Sequence, residues 1–129
     1  MRRGRKNILI VDPDEKFRGR LSSALKNRKH NIEQSVSFYD AVKMLSESRF
    51  DCLVVNVCLP DFKAHEGLSI VRNMNPETRI IATTDKNSRD LESGVREQNV
   101  YYYFIKSFPE KELVQAVKSA LRKRRKKAS

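Results

Sequence analysis

Four polar residues stand at or near the ends of apolar runs: Asp12 after ILIV, Asn56 within LVVNV, Thr84 after RIIAT, and Lys106 after YYYFI. If those runs are neighbouring parallel strands, their C-terminal ends are where loops and helix N-termini open and where ligands collect. The four would then put a carboxylate, an amide, a hydroxyl and an ammonium into one pocket. Asp12 and Lys106 can neutralise one another there without a metal. Asn56 brings no anionic oxygen. Zinc chemistry has nothing to be built from, because His30 and His65 lie in different polar segments. Cys52 and Cys58 fall on one expected strand, about 20 Å apart at strand rise, which is beyond disulfide reach. Both are expected to be buried thiols.

The elements that must position this set follow from the pattern of apolar residues. Residues 8–11 are an all-apolar run that reads as a buried parallel strand ending at Asp12. Asp14 is the expected N-cap of a helix carrying Phe17, Leu21, Ala24 and Leu25. Residues 31–36 form a weak edge strand, and Ser37 caps a second helix with Phe38, Ala41, Val42 and Leu45. Residues 51–60, DCLVVNVCLP, read as the central buried strand. A loop, DFKAHE, precedes Gly67 and a third helix with Leu68, Ile70, Val71 and Met74. Residues 79–83 give a fourth strand, and Asn87 or Ser88 caps a fourth helix through Leu91 and Val95. Residues 101–105 are an aromatic strand. Ser107 with Glu110 matches a capping box, Pro109 suits the first turn, and Leu113, Val117, Ala120 and Leu121 form the last helix's apolar stripe. Five strands and five helices in strict alternation predict an α/β three-layer sandwich with one parallel sheet.

In this order and spacing, ILIVD at Asp12, the N and LP of Asn56, Leu59 and Pro60, the GL of Gly67 and Leu68, IIATT ending at Thr84, and YFIK ending at Lys106 resemble the receiver domain of two-component response regulators. The resemblance runs from Asn7 to about Arg122. It implies a CheY-like, flavodoxin-like sheet of order 2-1-3-4-5. It also implies roles. Active receivers carry a phosphoacceptor aspartate on the central strand, an acidic pair that holds Mg²⁺, a Thr or Ser and a Lys that grip the phosphoryl oxygens, and an aromatic on the fifth strand that responds. Asn56 stands at the phosphoacceptor position, Asp12 and Pro13 at the acidic pair, Thr84 at the hydroxyl, Lys106 at the lysine and Tyr103 at the switch aromatic.

Asn56 and Pro13 are wrong for that chemistry. An acyl phosphate on an amide would require expelling ammonia first, and Pro13 supplies neither a carboxylate nor an N–H. Of three expected oxyanions only Asp12 remains. Mg²⁺ gives up its waters reluctantly and wants anionic oxygen, so its binding is expected to be weak or absent, with no other cofactor. The segment from Pro60 to Gly67 is longer than the family's usual spacing and brings Lys63, His65 and Glu66 near the pocket mouth. Asp85 replaces a small residue after Thr84, and Lys106-Ser107 replaces a Lys-Pro dipeptide, so its peptide bond is expected to be trans. The pocket reads as closed, with Asn56 hydrogen-bonded to Lys106 and Asp12.

With 129 residues, 39% hydrophobic and 33% charged, the chain fits one soluble domain. No apolar run reaches the ~20 residues of a membrane span and no signal-peptide core is visible, so a cytoplasmic location is expected. Arg2, Arg3, Arg5 and Lys6 open the chain, and Lys118 with Arg122 to Lys127 close it. The 16 basic residues between Asn7 and Val117 match the 16 acidic ones, so the whole net charge of +11 belongs to the termini. The expected organisation is a basic arm, 1–6, a receiver-like domain, 7–122, and a basic tail, 123–129.

The reading is a non-enzymatic, phosphorylation-independent protein-interaction module in phosphorelay signalling. Its expected partner, a signalling protein or a second copy, meets the fourth helix, fifth strand and fifth helix, around Tyr103. The tail adds weak nucleic-acid or anionic-surface contact. Two alternatives stand beside it: a receiver still responsive through a neighbouring acid such as Asp61 or to another ligand, and a small basic nucleic-acid-associated protein. The Asp12-Pro13-Asp14 triplet also resembles the D-x-D of haloacid-dehalogenase-type phosphatases. The Gly-Thr that should follow is Glu15-Lys16, and no carboxylate pair follows Lys106 at a later strand end to hold Mg²⁺.

Overall fold

The computed structural model describes residues 5–61 and 63–122. The expected tail, 123–129, and most of the N-terminal arm lie outside the described residues. The alternation is observed: β1 (Lys6–Val11), α1 (Glu15–Leu25), β2 (His30–Ser35), α2 (Phe38–Glu47), β3 (Cys52–Asn56), α3 (Ala64–Met74), β4 (Arg79–Thr84), α4 (Arg89–Arg96), β5 (Tyr102–Ile105) and α5 (Glu110–Leu121). The strands form one sheet of order β2-β1-β3-β4-β5. Every pairing is parallel, with Val11 opposite Val55, Asn56 opposite Thr83 and Thr84 opposite Ile105.

Successive residues of a strand point to opposite faces, and both faces here are covered, which is why the strands read as unbroken apolar runs. Leu9, Val11, Leu53, Val55, Ile80, Ala82 and Tyr103 pack against α2, α3 and α4. Ile8, Ile10, Cys52, Val54, Ile81 and Phe104 pack against α1 and α5. β3 lies in the middle and is buried at all five positions. Side-chain caps set three helix starts. Asp14 Oδ1 accepts from the Lys16 and Phe17 N–H groups, Ser37 Oγ from Asp40 N–H, and Ser88 Oγ from Leu91 N–H.

Several local expectations are corrected. β3 ends at Asn56; the Val57 N–H still donates to the Thr83 carbonyl of β4 and its side chain stays in the core, but Cys58 is exposed while Cys52 is buried. α3 begins at Ala64, which puts His65 and Glu66 on its first turn rather than in a loop. Ala24, Ile70 and Met74 face solvent instead of the core. Ser107 and Glu110 form no capping box, because Pro109 is the N-cap and Glu110 the first helical residue, too early to reach back. The Glu110 carboxylate instead takes three hydrogen bonds from the Arg20 guanidinium on α1, the shortest 2.7 Å. That contact holds the Glu110 carboxyl below its ordinary pKa and the Arg20 guanidinium above its own. The described peptide bonds are all trans, Lys106-Ser107 included.

Candidate functional site

The register fixes the site before any side chain is considered. β1, β3, β4 and β5 are adjacent and parallel, so their C-terminal ends place Asp12, Asn56, Thr84 and Lys106 at one edge of the sheet. Asp12 is completely buried. Its Oδ1 accepts from the Asp14 N–H at 2.8 Å, across Pro13. Its Oδ2 accepts from Lys106 Nζ at 2.8 Å and from Asn56 Nδ2 at 3.1 Å. Both carboxylate oxygens are therefore engaged. Pro13 itself is exposed and adds no polar side-chain group.

Asn56 is satisfied on both sides of its amide. Nδ2 donates to Asp12 Oδ2 and, at 3.2 Å, to Asp85 Oδ2, while Oδ1 accepts from the Cys58 N–H at 2.7 Å. The opposite amide orientation would set its oxygen against two carboxylates, so the network fixes this one. Lys106 does not bond Asn56, contrary to expectation. Its ammonium bridges Asp12 and Asp85, the latter at 3.2 Å, and sits 4.2 Å from the centroid of the Phe17 ring. Burial pulls the Lys106 pKa down, but the hydrogen bonds and charges of Asp12 and Asp85 outweigh it, and the net shift is upward.

Asp85 is the residue whose part the sequence did not reveal. Its side chain remains 55% exposed, yet its two oxygens reach inward to Lys106 and Asn56. It was legible as added charge at the entrance, since it follows Thr84 directly. That it would close the pocket from the inside depends on the turn after β4.

Thr84 ends β4, where the apolar run placed it. Its hydroxyl donates to the Lys86 carbonyl at 2.5 Å, accepts from the Lys86 N–H at 3.2 Å and lies 3.1 Å from Cys58 Sγ. The oxygen is thus spent on its own turn. On the neighbouring position, Thr83 Oγ1 is buried with no hydrogen-bond partner among the described residues.

Tyr103, at the position of the switch aromatic, is buried at 6% exposure. Its hydroxyl donates to Asn87 Oδ1 at 2.8 Å, and the Arg96 guanidinium lies 5.4 Å from its ring centroid. Burial, reinforced by Glu92, raises the Tyr103 pKa. Asn87 therefore serves Tyr103, leaving Ser88 as the cap of α4.

The phosphatase arrangement is not formed. Asp14 is turned onto the start of α1, where the Phe17 and Lys16 N–H groups help lower its pKa, and Asp12 is bound on both oxygens. Asp61 is likewise committed, accepting from the Phe38 and Tyr39 N–H groups at the start of α2 at 3.3 and 3.0 Å. His65 Nδ1 pairs with Gln98 Nε2 on the surface. Among the described residues, no three His, Cys, Asp or Glu side chains are placed to hold a metal ion, and no helix is long and apolar enough to cross a membrane.

A family model described as the response regulator receiver domain matches residues 8–118. The DNA-binding transcriptional regulator NtrC of Azospirillum brasilense is 25% identical over 114 residues, covering 88% of this chain and 24% of that protein. The transcriptional regulatory protein SrrA of Staphylococcus aureus is 25% identical over 118 residues, covering 90% of this chain and 48% of that protein. The chain thus spans between a quarter and a half of these relatives. Among solved structures, the signal receiver domain of an HD domain-containing protein from Pseudomonas fluorescens Pf-5 superposes with a TM-score of 0.83 at 24% identity, covering 94% of this chain and 90% of that one. The beryllofluoride-activated NtrC4 receiver domain dimer gives 0.80 at 22% identity, covering 88% and 94%.

Proposed function

The chain belongs to the response regulator receiver domain family, and on that premise we propose that it is a pseudo-receiver, a signalling module that works by protein contact without phosphorylation. As a receiver domain it is a module of two-component signalling and not an enzyme. The observation that carries the proposal is the closed polar circuit at the strand ends. Asp12, Asn56, Asp85 and Lys106 satisfy one another's hydrogen bonds within 3.2 Å, so neither a phosphoryl group nor a cation has a ready partner.

The fit to Mg²⁺ is poor. The ion wants several anionic oxygens in octahedral array. Asp12 is the sole acid of the expected pair, its oxygens are held by Asp14 N–H, Lys106 and Asn56, and the Asn56 oxygen is held by Cys58 N–H. Asn56 at the phosphoacceptor position supplies no nucleophile. Its role in this proposal is to lock one receiver conformation that a cytoplasmic partner reads. Asp61 does not replace it, being committed to the start of α2.

The contact surface is the α4-β5-α5 face. β5 is an edge strand, Tyr101 just before it and Phe108 after it are 41% and 44% exposed, and α5 presents Lys111, Glu112 and Gln115 to solvent. That the similar NtrC4 receiver is a dimer supports self-association as one form of this contact. The module runs from Lys6, the first residue of β1, to Arg122, with basic segments before and after it.

The test is intact-mass spectrometry after exposure to acetyl phosphate with Mg²⁺. The wild type stays unmodified, and the Asn56→Asp, Pro13→Asp, Asp85→Ala variant gains one phosphoryl group. A phosphorylated wild type refutes the proposal.

A further inference from the structure

We infer that the end of the domain opposite the Asp12 site is a binding surface for the phosphate backbone of duplex nucleic acid, assembled from both ends of the chain. In a parallel sheet followed by a last antiparallel helix, the first strand begins and the last helix ends on the same side. β1 begins at Lys6, and Arg122 follows α5 directly. Lys6, Arg79 and Arg122 line one surface depression of about 420 Å³ together with Asp51 and Glu77. The Lys6 N–H donates to the Lys29 carbonyl at 2.7 Å, drawing the exposed pair Arg28 and Lys29 to the same rim.

The two acids that line the depression are already in use. Glu77 pairs with Arg49 at 3.0 Å, and Asp51 Oδ2 accepts from the Asn7 N–H at 2.8 Å. Among the described residues, no carboxylate lies within ion-pair distance of Lys6 or Arg122. The eleven basic residues that make up the net charge fall at the two chain ends, four up to the first residue of β1 and seven from the last turn of α5 onward. Arg5, Lys6 and Arg122, which stand where these runs meet β1 and α5, lie at one side of the fold, and at the other side all five helices carry an acid in their first turn. The result is a molecule with a strong charge gradient that orients it toward a polyanion.

A nucleic-acid backbone fits this surface better than a bilayer. The segments 2–6 and 122–127 contain no apolar residue to enter lipid, and six of the eleven terminal basic residues are arginine, whose planar fork grips phosphate oxygens in pairs. Among the described residues this side is made of strand starts and helix ends, so the contact is to phosphates and is indifferent to sequence. This inference is independent of the chemistry at Asp12.

The test is fluorescence anisotropy with two labelled duplexes of unrelated sequence, read as salt is raised from about 50 to 200 mM. The full chain binds both alike, and log K falls against log salt with a slope between about −5 and −9, a loss of roughly 10³–10⁵-fold over that range. Deleting residues 123–129 and, separately, changing Arg2, Arg3 and Arg5 to Ser each flatten the slope, by up to about 4 and 3 units. Both variants leave every described strand and helix intact. The inference is overturned if the full chain does not bind at about 50 mM salt, if the N-terminal substitutions leave the slope unchanged, or if vesicles rich in phosphatidylserine capture the protein more tightly than the duplexes do.

Discussion

Restoring a carboxylate at the phosphoacceptor position should cost this protein stability, because the rest of the pocket has been rebuilt around an amide. In the wild type the two Asn56 Nδ2 hydrogens go to Asp12 and Asp85 at 3.1 and 3.2 Å. Asn56→Asp removes both bonds, each worth about 1.5–3 kcal/mol with a charged acceptor. It also places a third negative charge against two others, with Lys106 alone to offset them. The new carboxyl relieves the repulsion by holding its proton, and each unit by which crowding raises its pKa represents about 1.4 kcal/mol. We expect a loss of about 3–5 kcal/mol at pH 7.5, from the bonds alone at the lower end and from the added repulsion above it.

The sign with pH follows. A carboxyl with a raised folded pKa destabilises at high pH, and the charge-repulsion part of the loss disappears as pH falls toward the unfolded value of about 4. Urea unfolding from pH 5 to 8 therefore reads a difference from wild type that widens with pH, by at most about 1.4 kcal/mol per unit. Asp85→Asn in the same background recovers part of the loss, and millimolar Mg²⁺ recovers part of it by neutralising the crowded oxygens. A loss below about 1 kcal/mol that is flat with pH and indifferent to Mg²⁺ would refute the reasoning.

Lys106→Met leaves Asp12 buried without its counter-charge and should cost about 3–5 kcal/mol in urea unfolding. In the wild type the raised Lys106 pKa means that its contribution is fully present at neutral pH and is lost as pH rises through the folded value, above the ordinary lysine range; a stability profile without a drop at high pH would contradict this. Tyr103→Phe removes the hydrogen bond to Asn87 and should cost about 0.5–1.5 kcal/mol by the same measurement. A thiol reagent at neutral pH should label Cys58 in the native protein and Cys52 on unfolding alone, since burial pushes the Cys52 thiol up to about 12; native labelling of both would show that β3 opens.

The alternation of apolar strands with capped helices was legible in the chain because each signal is local. Asp14, Ser37 and Ser88 sit one residue before the helices they cap, and an unbroken apolar strand implies a sheet covered on both faces. The errors of detail arose where a local motif met a distant partner. Glu110 matched a capping box, but Arg20, ninety residues earlier, takes its carboxylate. Asn87 matched a cap and instead holds the Tyr103 hydroxyl.

Residue types alone determined that Asn56 and Pro13 remove a nucleophile and an acid from the strand ends, because no fold can give an amide or a proline ring an anionic oxygen. Tertiary structure alone decided how the remaining groups pair. Asp85 closes on Lys106 and Asn56, and Thr84 turns to Lys86, because donors and acceptors are matched through space by the turn after β4. Tertiary structure likewise decided that Lys6 and Arg122, at opposite ends of the described chain, line one depression. The sequence assigned the charge to the termini. The meeting of Lys6 and Arg122 follows from a parallel sheet whose last helix runs back to where the first strand began.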